Sequence, residues 1–119
     1  MPPEEQLRLT AEMFRMLADP TRVGILWALT GGERSVTELA SAVNRPAAST
    51  SQHLQKLRLS GMVSTRREGT TVYYSCISDH VARLVTDAVH NAEHHEPGVP
   101  AHHRADAGLA ELRPEGRGA

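Results

Sequence analysis

The 119-residue sequence predicts an α+β fold of about five helices and a two-stranded β-hairpin, and three observations carry that reading. Two short helical segments, Val36 to about Ala42 and Ala47 to about Ser60, are separated only by the turn signal Asn44-Arg45-Pro46. Two runs rich in β-branched and aromatic residues follow, Met62 to Arg66 and Thr71 to Cys76. Segments with helical apolar spacing flank the whole, before and after. Two helices joined by a tight turn and followed by a hairpin make the order of a winged helix-turn-helix.

Each element has a local cause. Glu4 to Leu17 places Leu7, Leu9, Ala11, Met13, Phe14, Met16 and Leu17 at spacings compatible with an amphipathic helix. Asp19-Pro20 starts a second helix, with aspartate as N-cap and proline at the first helical position. That helix has Val23, Ile25, Leu26, Trp27 and Leu29 to bury, and Gly31-Gly32 stops it. Ser35-Val36-Thr37-Glu38 is a capping box that opens the third helix. The fourth is expected to bury Ala48, Leu54 and Leu57, to expose Ser49, Thr50, Ser51, Gln52, His53, Gln55 and Lys56, and to stop at Gly61. Arg67-Glu68-Gly69-Thr70 is expected to turn the hairpin. Ser78 caps a fifth helix, Asp79 to about His95, whose apolar side is Val81, Leu84, Val85, Ala88, Val89 and Ala92. Pro97-Gly98 and Pro100 end it. A domain over 1–95 is therefore expected to precede a flexible, histidine-containing tail over 96–119.

Composition sets limits on class. The large aromatics are Phe14, Trp27, Tyr73 and Tyr74, so the core must be mostly aliphatic, and a core that small is often supplemented by oligomerisation or metal. No apolar run approaches the roughly 20 residues of a membrane span. The start, MPPEEQLRL, lacks the pattern of a secretory leader, and the single cysteine, Cys76, fits a reducing cytoplasm. Net charge is only −1, but from Asn44 to Arg67 there are five basic residues (Arg45, Lys56, Arg58, Arg66, Arg67) and no acidic one. Such a local patch steers a protein to phosphates whatever the whole-chain balance.

A DNA-reading helix needs short polar side chains near its N-terminus for base edges and basic residues around it for phosphates. Ser49, Thr50, Ser51, Gln52 and His53 meet the first need, with Gln55 beside them. Arg45, Lys56, Arg58, Arg66 and Arg67 meet the second. Gln52 has the geometry to pair bidentately with adenine. Six of the seven histidines fall later, at His80, His90, His94, His95, His102 and His103. Imidazole is a common ligand for borderline transition metals. A histidine cluster joined to a DNA-binding pattern points to a metal-sensing transcription factor.

Four stretches carry a resemblance. They are Leu17-Ala18-Asp19-Pro20-Thr21-Arg22, Val36-Thr37-Glu38-Leu39-Ala40, Ser49-Thr50-Ser51-Gln52-His53-Leu54-Gln55-Lys56-Leu57 and Arg67-Glu68-Gly69-Thr70-Thr71-Val72-Tyr73-Tyr74. Over roughly Glu12 to His95 the chain resembles the ArsR/SmtB family of metal-responsive regulators. The resemblance implies a homodimer with its first and fifth helices at the interface, a palindromic double-stranded operator, and DNA binding weakened by metal.

The family's Cys-x-Cys site on the first helix of the helix-turn-helix is absent, since Ser35 to Leu39 offers no thiolate. Its fifth-helix site is represented in part. Ser78 stands where the zinc-sensing pattern has aspartate and Asn91 where it has histidine, while His80 and His94 fit. These two lie about 21 Å apart along a helix and point nearly the same way, so one helix cannot bring both to one metal. Two antiparallel copies can, setting His80 of one chain beside Glu93 and His94 of the other. With His102 and His103 the set resembles the nickel/cobalt-sensing branch of the family. Those metals accept five or six N/O ligands, and the segment between His94 and His102 reaches about 26 Å when extended. Nickel or cobalt is thus the expected metal, with zinc a third candidate. His90 and His95 are turned about 80° and 60° from His80 and are left out.

Two alternatives bear on function. One is a regulator of the same fold that has lost metal sensing or answers to a partner protein. The other is an enzyme or metal chaperone, but the sequence shows neither a nucleophile with its base and orienting group nor a phosphate-binding glycine loop.

Overall fold

The computed structural model describes residues 1–94. Residues 95–119, with His95, His102, His103 and the expected tail, lie outside the described residues. In chain order the elements are α1 (Glu4–Leu17), α2 (Pro20–Leu29), β1 (Arg34–Ser35), α3 (Val36–Val43), α4 (Ala47–Leu59), β2 (Val63–Glu68), β3 (Thr71–Cys76) and α5 (Asp79–His94). Packing separates one unit, Met1–Val85, from a second that begins at Thr86.

The expected caps form. The Asp19 side chain accepts the Arg22 backbone N–H at 2.9 Å, with Pro20 in the first helical position. Ser35 and Glu38 complete a reciprocal capping box. The Ser78 Oγ accepts the Val81 backbone N–H at 3.4 Å. Asn44, at φ 55°, ends α3 in the left-handed region that asparagine tolerates well.

The core of the first unit joins α2, α3, α4, β2 and the start of α5. Ile25, Leu26, Leu39, Leu54 and Leu57 are sealed from solvent, with Leu29, Ala40, Met62, Val63, Val81 and Val85 around them. Burying one such aliphatic side chain stabilises the fold by about 1.5–3 kcal/mol. A Cβ on Gly24 would come within 3.2 Å of Val43 Cγ1, so glycine there lets α2 approach α3 closely. Trp27, expected inside, is 39% exposed. It lies on the side of α2 opposite the line that Ile25, Leu26 and Leu29 turn inward. Helix α1 buries none of its side chains, and Leu7, Leu9 and Phe14 remain exposed.

The sheet departs from the expectation of two strands. Three antiparallel strands run in the order β1-β3-β2. Arg34 pairs with Tyr74 and Ser35 with Tyr73, so the residues leading into the capping box also add an edge strand. The hairpin is longer and its turn tighter than the expected Arg67–Thr70 linker. Glu68 pairs with Thr71, leaving only Gly69-Thr70 to turn. Gly69, at φ 64°, supplies the left-handed geometry that a two-residue turn requires.

Candidate nucleic-acid interface

The left-handed Asn44 and the extended Pro46 set α4 at an angle to α3 with three residues between them. Along α4, Thr50, Leu54 and Leu57 recur at i, i+4 and i+7 and form the buried stripe. Two expectations fail on this register. Ala48, expected inside, is exposed, and Thr50, expected on the DNA face, is fully buried. The face that remains outside carries Ser51, Gln52, Gln55 and Lys56. Ser49 is half-buried, its hydroxyl donating to the Pro46 carbonyl at 3.2 Å. Arg45 is exposed at the head of this face, one residue before Pro46, and its guanidinium donates to the neighbouring Asn44 carbonyl at 3.3 Å. His53 is half-buried and its Nδ1 lies 3.2 Å from Arg22 Nη1.

Strand alternation separates the two arginines of the hairpin. Arg66 pairs across to Tyr73 and Arg67 to Val72, so they stand on opposite faces of the sheet. The Arg66 guanidinium is held at 2.5 Å by Glu33 and at 2.8 Å by Glu68. It lies 4.9 Å from the centroid of the Tyr73 ring. Its hydrogen bonds to Glu33 first, then to Glu68, raise the Arg66 pKa above its ordinary value, and the bond that Arg66 donates lowers that of Glu33. Two carboxylates thus compensate Arg66, an arrangement the sequence did not announce. Arg67 lies on the other face, in a groove lined with Arg58, Thr65, Val72 and Tyr74. Two guanidinium-bearing residues flanking one groove without a carboxylate in its lining form an anion-attracting surface. Arg58 was legible as part of the basic stretch, but its pairing with Arg67 depends on strand register.

The metal-ligand candidates occupy the two ends of α5. His80 is exposed in the first turn, its Nδ1 3.3 Å from Arg83 Nη2. In the last turn Glu93 is half-buried and His94 exposed. Among the described residues, no three histidine, cysteine, aspartate or glutamate side chains come together to hold a metal ion. The donor types, imidazole and carboxylate, suit nickel or cobalt, but one described chain does not assemble them. Cys76 is half-buried, its thiol pointing at the Leu26 carbonyl at 3.9 Å, and burial raises its pKa, which makes it a poor soft-metal ligand.

This geometry has relatives. A model described as a helix-turn-helix domain matches residues 17–66. The chain is 57% identical over 107 residues to the HTH-type transcriptional regulator KmtR of Mycobacterium tuberculosis, covering 90% of this chain and 82% of that protein. The chain belongs to the ArsR/SmtB family. The HTH-type transcriptional repressor SmtB of Mycobacterium tuberculosis is 40% identical over 91 residues, 76% of this chain and 67% of that protein. Among solved structures, the homodimeric winged helix-turn-helix DNA-binding domain of a possible ArsR-family transcriptional regulator from Mycobacterium bovis superposes with a TM-score of 0.68. It is 35% identical, covering 77% of this chain and 90% of that one. As in these ArsR/SmtB relatives, the function class is transcriptional regulation and not catalysis. No helix of the described residues is long and apolar enough to cross a membrane.

Proposed function

We propose that this chain is a metal-responsive transcriptional regulator. Its homodimer binds a palindromic double-stranded operator, and nickel or cobalt, or less suitably zinc, changes its affinity for DNA. The observation that carries the DNA half is the exposed polar face of α4, Ser51, Gln52, Gln55 and Lys56, led by Arg45 and followed by the Arg58–Arg67 groove. Base-reading side chains and phosphate-binding cations then lie in the order in which a duplex would meet them. The metal half rests on His80, Glu93 and His94 of α5, with His102 and His103 supplied from the segment 96–119. Helical spacing makes this a site between two copies, so metal binding acts on the geometry of the dimer. When bound, the metal supplies a charge that draws these ligands together. The protein's share is to place the ligands on elements that also fix the distance between the two α4 helices. A coupling of about 1–3 kcal/mol is ordinary for such a switch.

The test is fluorescence anisotropy on DNA from upstream of the chain's own gene, with and without saturating nickel. The expected result is tight binding that weakens with metal. His80→Ala should abolish the metal response and spare DNA affinity. Release of DNA by nickel in that variant would remove His80 from the site. Tight binding that no metal alters would assign the chain to a same-fold regulator answering to a partner protein.

A further inference from the structure

We propose that His53 is a positioning residue which fixes the rotation of α4 about its own axis, and that it does not read a base. The inference rests on the reading of α4 as the DNA-contacting helix. The His53 side chain is only 24% exposed. It forms the end of a polar strut reaching across the fold to the corner between α1 and α2. Arg22 is fixed there twice, its Nε donating to the Met16 carbonyl at 2.7 Å and its backbone N–H to Asp19 Oδ2 at 2.9 Å. The same guanidinium places Nη1 3.2 Å from His53 Nδ1, bridging 31 residues of sequence. Asp19 Oδ2 lies 3.8 Å from that ring nitrogen, beyond hydrogen-bond range.

A guanidinium can only donate, so His53 Nδ1 must accept and the ring proton must sit on Nε2. This directional link matters because the other side chains holding α4 down are Leu54, Leu57 and the unpaired Thr50. Apolar contacts are non-directional and tolerate small rotations, whereas a hydrogen bond to a doubly anchored arginine does not. Gln52 and Ser51 immediately precede His53, so the angle set at His53 is the angle at which they meet the major groove.

The two roles of His53 separate by which ring nitrogen matters. Asparagine places its amide oxygen near the position of Nδ1, and glutamine places its amide near that of Nε2. The strut therefore predicts that His53→Asn keeps operator affinity, while His53→Gln and His53→Ala lose about tenfold or more. The loss should be equal on the operator and on its single-base variants, with base preference unchanged. His53→Ala added to Arg22→Gln should cost no further affinity. Retention by His53→Gln with loss by His53→Asn, or relaxed preference at one base pair, would overturn the proposal, as would additive losses with Arg22→Gln. A measurement without DNA stands beside these. Nitrogen-15 NMR of the free wild-type protein should show an unprotonated Nδ1 on His53 that shifts in Arg22→Gln, and a protonated Nδ1 would overturn the strut. Failure of the wild type to bind any duplex would overturn the DNA-binding reading itself, and the NMR result distinguishes that failure from failure of the strut.

Discussion

Replacing Thr50 by valine should stabilise the protein and leave DNA binding unchanged. The Thr50 hydroxyl is buried and has no hydrogen-bond partner among the described residues. A helical threonine ordinarily returns its hydroxyl to the carbonyl four residues back, here that of Pro46. That carbonyl already accepts the Thr50 backbone N–H at 3.0 Å and the Ser49 hydroxyl at 3.2 Å, so both its lone pairs are engaged. An unpaired buried hydroxyl costs about 1–3 kcal/mol. Valine has nearly the same shape and helix propensity and carries no polar atom, so most of that cost should be recovered. For a domain of this size each 1 kcal/mol moves the melting temperature by about 4–8 °C. Thermal and urea unfolding at one fixed protein concentration give the number, since association would otherwise shift the midpoint. The explanation has an internal control. Ser49→Ala frees one lone pair of the Pro46 carbonyl for Thr50, so the gain from Thr50→Val should shrink in that background. An unchanged or lowered melting temperature for Thr50→Val would refute the reasoning. A loss of DNA affinity without any stabilisation would return Thr50 to the DNA face where the sequence first placed it.

Two further outcomes follow from the wing. Arg58→Ala and Arg67→Ala should each weaken binding to all duplexes alike and reduce the slope of log affinity against log salt by about 0.9 per phosphate lost, while Arg66→Ala, whose charge Glu33 and Glu68 compensate, should leave that slope in place. Glu33 titrates below the ordinary carboxylate range because Arg66 holds its charged form, so its contribution is complete above that range and is lost as pH falls through the lowered value. Amide protection in β1 and β3, taken relative to the intrinsic exchange rate at each pH, should fall on acidification through that window, and an identical acid response in Glu33→Gln would refute the assignment.

The order of elements was legible because each helix start carries its own chemical signal. Asp19-Pro20, the Ser35–Glu38 box and Ser78 all cap where their side chains predict. Thr50 looks like its polar neighbours in composition, although its i, i+4, i+7 spacing to Leu54 and Leu57 already marks it as inward. Ala48 is apolar but off that register, and hydrophobicity is a weak guide for so small a side chain. What was not legible depended on tertiary register. The third strand was hidden because Arg34-Ser35 has no strand propensity of its own and pairs only because β3 offers an edge. Arg66 and Arg67 are adjacent in sequence and equivalent in charge, and only the two-residue turn fixes which of them meets Glu33 and which meets Arg58.

The two halves of the proposed function differ in how far one chain can complete them. For DNA, the described residues of a single chain already hold a capped helix-turn-helix, an exposed reading face and a groove between two uncompensated arginines. For metal they hold only scattered donors, His80 at one end of α5 and Glu93-His94 at the other, which the rise of a helix keeps about 21 Å apart. Helix α1 is incomplete in the same sense, since none of its side chains is fully buried and Leu7, Leu9 and Phe14 stay exposed. A second copy would supply cover for those side chains and the missing ligands in one step. Under the proposed function, a sensor built this way cannot bind its metal without also fixing the relation between two DNA-reading helices. That is why a mutation confined to α5 is expected to disconnect metal from DNA without weakening either the helix-turn-helix or its grip on the operator.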